Sequence, residues 1–137
     1  MQPYEYFEHT ADIGLRSFGR DVAEAFANAG RGLSALLVDP STVQPREERQ
    51  VTLQGGELAE LLVEWLNEIL FLADSEGFLA VDVAVHVVNE QGLRASLRGE
   101  RADLSRHRLL GGVKAATYHQ TQVRCDGGCV VQVILDV

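Results

Sequence analysis

The 137-residue sequence has little of what marks several classes of protein. Its two cysteines, Cys125 and Cys129, are too few for a fold built on disulfides, and no apolar run approaches the roughly 20 residues that a membrane helix needs. The first residues lack the basic and apolar regions of a signal peptide, and no Walker loop, nucleophile elbow or dinucleotide fingerprint is present. These absences predict a cytoplasmic protein with no membrane partner.

What the sequence does contain is the composition of an ordinary globular domain. Hydrophobic residues make up 46% of the chain and charged residues 23%. A chain of this length can bury roughly 68% of its unfolded surface in a single core, so we predict one domain over residues 1–137. The net charge of −8 argues against a general nucleic-acid coat protein, because phosphate binding draws on clustered lysine and arginine, and DNA is not an expected partner.

The charges are unevenly distributed along the chain. Residues 47–90 contain ten acidic residues and a single basic one, Arg49, whereas residues 91–124 contain seven basic residues and two acidic ones. Two solvated faces of opposite sign explain this pattern, and a dedicated docking surface is the alternative. Lys114 is the only lysine among the twelve cationic residues, which draws attention to its position.

Hydrophobic periodicity predicts two helices and about seven strands. The first helix follows Asp21, a predicted N-cap with Glu24 as its capping-box partner, and ends before Pro40. The second ends at Gly77, which suits a left-handed C-cap. The predicted strands cover residues 4–8, 13–18, 49–53, 79–88, 93–100, 113–125 and 129–137, with a turn at 9–12 and a polar excursion at 104–110 that could hold a helical turn. We therefore predict an α+β fold, a mostly antiparallel sheet with two main helices packed on it.

Alternation in the last hairpin predicts which side chains face the core. Pairing of the two cysteines across their three-residue turn would set Tyr118 opposite Asp136. His119 then falls on the core side, while Lys114 and Asp136 emerge together on the polar face at one end. The cysteine spacing favours a cross-strand thiol pair over a redox or metal motif, and a disulfide is sterically conceivable.

The last two residues carry hard oxygen donors side by side, the Asp136 side chain and the α-carboxylate of Val137. A third carboxylate from Asp12, at the start of a strand, would complete the oxygen-rich kind of site that Ca²⁺, Mg²⁺ or Mn²⁺ prefers. Spacing alone favours the ordinary alternative, because terminal residues usually fray and an aspartate in a turn usually caps a backbone amide.

Two histidines support a different hypothesis. His9 and His119 could bind a transition metal, or act as acid and base with Asp12 in a small metal-dependent hydrolase. Neither histidine has a recognisable zinc spacing, and a core-facing histidine such as His119 is more often a buried, hydrogen-bonded imidazole. A general chaperone or adaptor with an acidic binding surface is a further alternative.

Five segments of the sequence, in matching order and spacing, resemble the archease family, and the resemblance runs from end to end. These segments are Phe7–Gly14, Ala23–Phe26, Trp65–Phe71, Val113–His119 and Val131–Val137. The family's fold is similar to an elaborated strand-helix-strand-strand unit, which agrees with the predicted α+β class.

The resemblance implies a function as an activator. Archeases assist the RtcB-type RNA ligase, which joins RNA 3′-phosphate or cyclic-phosphate ends to 5′-hydroxyl ends in tRNA splicing and RNA repair. They promote guanylylation of the ligase and restore its multiple turnover, while the ligase performs the chemistry. The resemblance therefore implies a protein that is not itself an enzyme, whose partner is the ligase and which meets RNA indirectly through it.

Matching the family's functional residues to this sequence implies a divalent metal site, with Ca²⁺ the first expectation and Mg²⁺ or Mn²⁺ as alternatives. The implied ligands are Asp12, Asp136 and the terminal Val137, and the functionally important lysine matches Lys114. No residue is assigned a catalytic role. The family commonly ends in Asp-Ile, so Val137 is a departure that keeps the carboxylate, and the cysteines are outside the family pattern.

Overall fold

The computed structural model describes residues 2–9 and 11–137, where the chain forms an α+β fold, as predicted. The strands are β1 (Tyr4–His9), β2 (Asp12–Gly19), β3 (Glu47–Gln54), β4 (Phe78–Asn89), β5 (Gly92–Arg101), β6 (Ala115–Cys125) and β7 (Cys129–Asp136). The helices are α1 (Val22–Leu37) and α2 (Leu58–Glu76), with a short 3₁₀ helix at Pro40–Thr42. Thr10, in the predicted turn between β1 and β2, lies outside the described residues.

The strands form two antiparallel sheets. One has the order β1-β2-β7-β6 and the other the order β3-β5-β4. Helix α1 packs against both β2 and β4, and α2 packs against both β6 and β4, so each helix contacts both sheets. The core lies between them, and its largest fully buried side chains include Phe26 and Trp65.

Local signals explain where the two helices begin and end. The Asp21 carboxylate accepts a 2.8 Å hydrogen bond from the Glu24 N–H, which confirms the predicted N-cap. The Glu24 carboxylate reaches back one residue further than a capping box, to the N–H of Arg20 at 2.8 Å. Helix α2 ends at Gly77, whose φ of 65° is the left-handed conformation predicted for it.

The segment at 104–110 begins with a single helical turn, which the sequence pattern allowed for: the His107 N–H donates to the Asp103 carbonyl at 2.7 Å. A buried carboxylate anchors this turn. Glu100 is 3% exposed and accepts hydrogen bonds from Arg106 Nη2, His107 Nε2 and the Gln44 N–H, each at 2.8 Å. The hydrogen bonds from Arg106, then those from His107 and Gln44, lower the pKa of Glu100 to about 2. His107 Nδ1 accepts from the Asp103 N–H at 2.8 Å, so Nε2 carries the proton. The chain leading to Lys114 is therefore firmly held.

Within the described residues, no helix combines the length and the apolar content that crossing a bilayer requires.

Candidate metal centre

Pairing of β2 with β7 brings Asp12 and Asp136 to the same end of one sheet. Ile13 pairs with Leu135, and the two aspartates occupy the next position of that register, Asp12 as the first residue of β2 and Asp136 as the last residue of β7. Directly opposed residues of an antiparallel pair project from the same face of the sheet. The fold therefore brings together two carboxylates that are 124 positions apart in sequence.

Lys114 reaches the same end of the sheet, but by a register that alternation did not predict. Asp136 lies opposite Ala115, and not opposite Tyr118 as predicted. The Lys114 N–H donates a 2.7 Å hydrogen bond to the Asp136 carbonyl oxygen. Lys114 thus lies at the same end of the sheet as Asp136, as predicted. The predicted pairing is wrong, because β6 contains extra residues between its two paired halves, and with Ala115 opposite Asp136 the alternation no longer places the Lys114 side chain on the face of Asp136.

Val137 follows the last residue of β7 and is 40% exposed. Its α-carboxylate is one residue from the Asp136 side chain, and the hydrogen bond from the Lys114 N–H fixes the Asp136 carbonyl that precedes it. The predicted set of Asp12, Asp136 and Val137 therefore comes from one end of the sheet. The roles of these residues as metal ligands remain predictions.

Among the described residues, neither the Asp12 nor the Asp136 carboxylate accepts a hydrogen bond, and Thr10, which is close to Asp12 in sequence, lies outside them. Across the same residues, no three side chains of His, Cys, Asp or Glu converge on a metal position. The predicted set has two such side chains and a main-chain carboxylate, so it is a different kind of site.

The two histidines lie beside this centre. Their ring centroids are 5.4 Å apart in an edge-to-face arrangement, and His9 Nδ1 is 3.7 Å from Asp12 Oδ2. His9 Nδ1 is buried and has no hydrogen-bond partner among the described residues. His119 is exposed, so its predicted place in the core is wrong, because the irregular segment of β6 breaks the alternation on which the prediction relied.

Sequence reasoning missed Asn67, which connects α2 to β6, the strand that follows Lys114 and pairs with β7. Its Oδ1 accepts from the Ala116 N–H at 2.8 Å and its Nδ2 donates to the Ala116 carbonyl at 3.2 Å. In the sequence, Asn67 is visible only as a polar residue within an apolar helix. That pattern does not identify Ala116 as its hydrogen-bond partner. At the far end of the hairpin, Cys125 and Cys129 pair across the strands as predicted and form a disulfide.

Comparison with known proteins identifies related sequences and structures. The profile of the "Archease protein family (MTH1598/TM1083)" matches residues 4–137. Protein archease of Sulfurisphaera tokodaii is 38% identical over 128 residues, which cover 93% of this chain and 92% of the relative.

Two solved structures share the fold. The solution structure of Methanobacterium thermoautotrophicum protein 1598 has a TM-score of 0.80 and 31% identity, with 100% of both chains covered. The crystal structure of an archease from Thermotoga maritima, described as a possible chaperone, has a TM-score of 0.66 and 21% identity, covering 100% of this chain and 98% of that one. From the family profile and the full-length relatives, we conclude that this chain belongs to the archease family.

Proposed function

We propose that this protein activates an RtcB-type RNA ligase in tRNA splicing and RNA repair. It promotes guanylylation of the ligase and its multiple turnover, and it performs no chemistry itself. Membership of the archease family supports this function. The ligase is the direct partner, RNA is met through the ligase, and the complex acts in the cytoplasm.

The observation that carries the proposal is the pairing of Ile13 with Leu135, which puts Asp12 and Asp136 at the next position of the β2–β7 register. These two carboxylates, with the α-carboxylate of Val137, supply the hard oxygen ligands of a divalent ion, Ca²⁺ first, or Mg²⁺ or Mn²⁺. When bound, such an ion supplies a concentrated positive charge that can neutralise phosphate oxygens. In the absence of the ion, strand pairing alone holds the ligand residues near one another.

Lys114 supplies the second positive charge of the proposed site. Its backbone is hydrogen-bonded to Asp136, so the lysine starts from the same edge of the sheet as the carboxylates, and it is exposed to solvent. A preorganised cation aimed at a developing phosphate charge stabilises a transition state more than water does. Lys114 therefore faces the phosphates of the ligase's nucleotide when the two proteins are bound.

A ligation assay tests the function. Purified ligase is supplied with GTP, Mn²⁺ and RNA carrying 3′-phosphate and 5′-hydroxyl ends, and turnover is measured with wild type, Asp136→Asn, Lys114→Ala and the surface control Asp74→Asn. Wild type and the control should restore multiple turnover, while the two site variants should lose roughly tenfold or more of the stimulation. Equal stimulation by all variants would reject the site, and no stimulation by wild type with its matched ligase would reject the function.

A second candidate is the small metal-dependent hydrolase, which the contact between His9 and His119 beside Asp12 favours. It predicts turnover of phosphoesters by this protein alone, and its loss in His9→Gln and His119→Gln. The ligase proposal predicts no such turnover. The same preparations can be tested in both assays.

Metal binding can be tested separately from ligation. A glycine added after Val137 converts the α-carboxylate to a neutral amide and leaves every side chain in place. Mn²⁺ binding, followed by electron paramagnetic resonance, should weaken by about tenfold, while the melting temperature of the metal-free protein should stay within a degree or so of wild type. Unchanged Mn²⁺ affinity would remove Val137 from the ligand set.

A further inference from the structure

Strand β6 pairs with β7 in two registers. The half of β6 nearest Lys114 is shifted relative to the half nearest the hairpin turn. From the turn outward, the pairs run from Cys125 with Cys129 to Gln122 with Gln132, and pairing resumes at Thr117 with Ile134. Between these two blocks β6 advances five residues and β7 only two. The hairpin turn therefore cannot set the register of the first half, and something else must.

This shifted register is what brings Lys114 to the candidate centre. With the hairpin register continued, Tyr118 would lie opposite Asp136, and Lys114 would lie beyond the end of β7. With the observed register, Ala115 lies opposite Asp136 and the Lys114 N–H bonds to the Asp136 carbonyl at 2.7 Å. The register of β6 against β7 therefore determines the position of Lys114.

Few interactions with β7 hold the first half of β6 in this register. The first half of β6 makes three residue pairs with β7, from Ala115 to Thr117, and the Thr117 hydroxyl donates to the Ile134 carbonyl at 3.0 Å. β6 is also the last strand of its sheet, so its other edge faces no strand. Main-chain N–H and C=O groups on such an edge need another partner, since Ala116 is only 5% exposed.

The Asn67 carboxamide is that partner. It accepts from the Ala116 N–H at 2.8 Å and donates to the Ala116 carbonyl at 3.2 Å, the same donor and acceptor pair that a neighbouring strand would offer. The helix that carries it is fixed, because Trp65 is fully buried and its Nε1 donates to the Phe26 carbonyl at 2.9 Å. The bond therefore ties the edge strand to a rigid support.

We propose that Asn67 is a positioning residue, which fixes the register of residues 114–117 against β7 and so holds Lys114 beside Asp136. A shift of β6 by one residue would move the Ala116 groups away from the carboxamide and leave buried polar groups unpaired, which disfavours every other register. The consequence for ligation rests on the proposed function, whereas the consequence for the register does not.

The test compares Asn67→Ala with Ile69→Val, both in the full chain. Ile69 is 3% exposed on the same helix, so Ile69→Val weakens packing and leaves the carboxamide untouched. The first measurement is the set of cross-strand nuclear Overhauser contacts between Thr117 and Ile134, with amide hydrogen exchange at Ala116. The second is the stimulation of ligase turnover in the ligation assay, and both are read at a temperature where the two variants are folded by circular dichroism.

We expect Asn67→Ala to weaken the Thr117–Ile134 contacts, to speed exchange at Ala116 by at least about tenfold and to lower the stimulation of ligase turnover by about tenfold. Ile69→Val should keep wild-type contacts and stimulation. Unchanged contacts and exchange in Asn67→Ala, or equal losses in both variants, would overturn the positioning role. If wild type itself gives no stimulation, the proposed function fails, and the contacts and the exchange rate still decide the role of Asn67.

Discussion

Removing one carboxylate of the candidate centre should abolish most of the stabilisation that a divalent ion gives the protein. Asp12 and Asp136 lie one position beyond the Ile13–Leu135 pair of β2 and β7, and side chains at opposed positions are roughly 5 Å apart. Two negative charges at that distance repel by about 1 kcal/mol in a water-like dielectric. Asp136→Asn keeps the side-chain shape and removes the repulsion, so the metal-free variant should be more stable than metal-free wild type by up to about 1 kcal/mol.

A divalent ion should stabilise wild type far more than it stabilises Asp136→Asn. At a free concentration of one hundred times its dissociation constant, a ligand that binds only the folded state stabilises it by about 2.7 kcal/mol. For a chain of this size that corresponds to a rise in the melting temperature of roughly 8–13 °C. Wild type should show this rise, and Asp136→Asn should lose most of it.

The assay is thermal unfolding followed by circular dichroism, at low ionic strength, in EDTA and then in Ca²⁺, Mg²⁺ or Mn²⁺. Asp74→Asn, which removes an exposed acid near the end of α2, is the control and should behave as wild type does. A full metal-dependent rise in Asp136→Asn would exclude the Asp136 side chain from the ligand set. Strong destabilisation of the metal-free protein by Asp136→Asn would show that the carboxylate has a structural partner instead.

Three further outcomes follow from the fold. Trp65→Phe removes the hydrogen bond to the Phe26 carbonyl and part of a fully buried ring, so the free energy of unfolding in urea should fall by about 2–4 kcal/mol. The pKa of Glu100 is about 2 in the folded protein against an ordinary 4.5, so its contribution to the free energy of unfolding is complete above pH 4.5 and is lost as the pH falls toward 2. Glu100→Gln should therefore flatten the acid side of a stability curve measured between pH 5 and 2.5. Gly99→Ala should cost roughly 3 kcal/mol or prevent folding, because the added methyl group would overlap the Leu79 carbonyl oxygen, and a melting temperature near wild type would show that the strands can separate there.

Much of the fold was predictable because its signals are local. The Asp21 cap, the left-handed Gly77 and the apolar stripe of each helix act within a few residues, so periodicity found both helices with their ends. The division of the strands into two sheets was not predictable. Strand order depends on which apolar faces meet in the core, and alternation along one strand carries no information about its neighbours.

The candidate site was likewise predictable in part. Residue type and resemblance selected Asp12, Lys114, Asp136 and Val137, since hard oxygen donors and a lone lysine are visible in the sequence itself. The prediction for His119 was wrong because it assumed unbroken alternation through β6, and the extra residues of that strand end the alternation before His119. A bulge is selected by the packing of a strand against its support, and no local pattern identified it.

By itself, the sequence determined the chemistry that is available: the helices and strands, the oxygen donors, the position of the only lysine, and the family. Only the tertiary structure decided which of these groups meet. Asp12 and Asp136 come together because β2 pairs with β7 across 124 positions of sequence, and Lys114 joins them because β6 is held in a shifted register. Such pairings form when burial of the core repays the entropy of closing a long loop, a balance that depends on the whole chain and not on any segment of it.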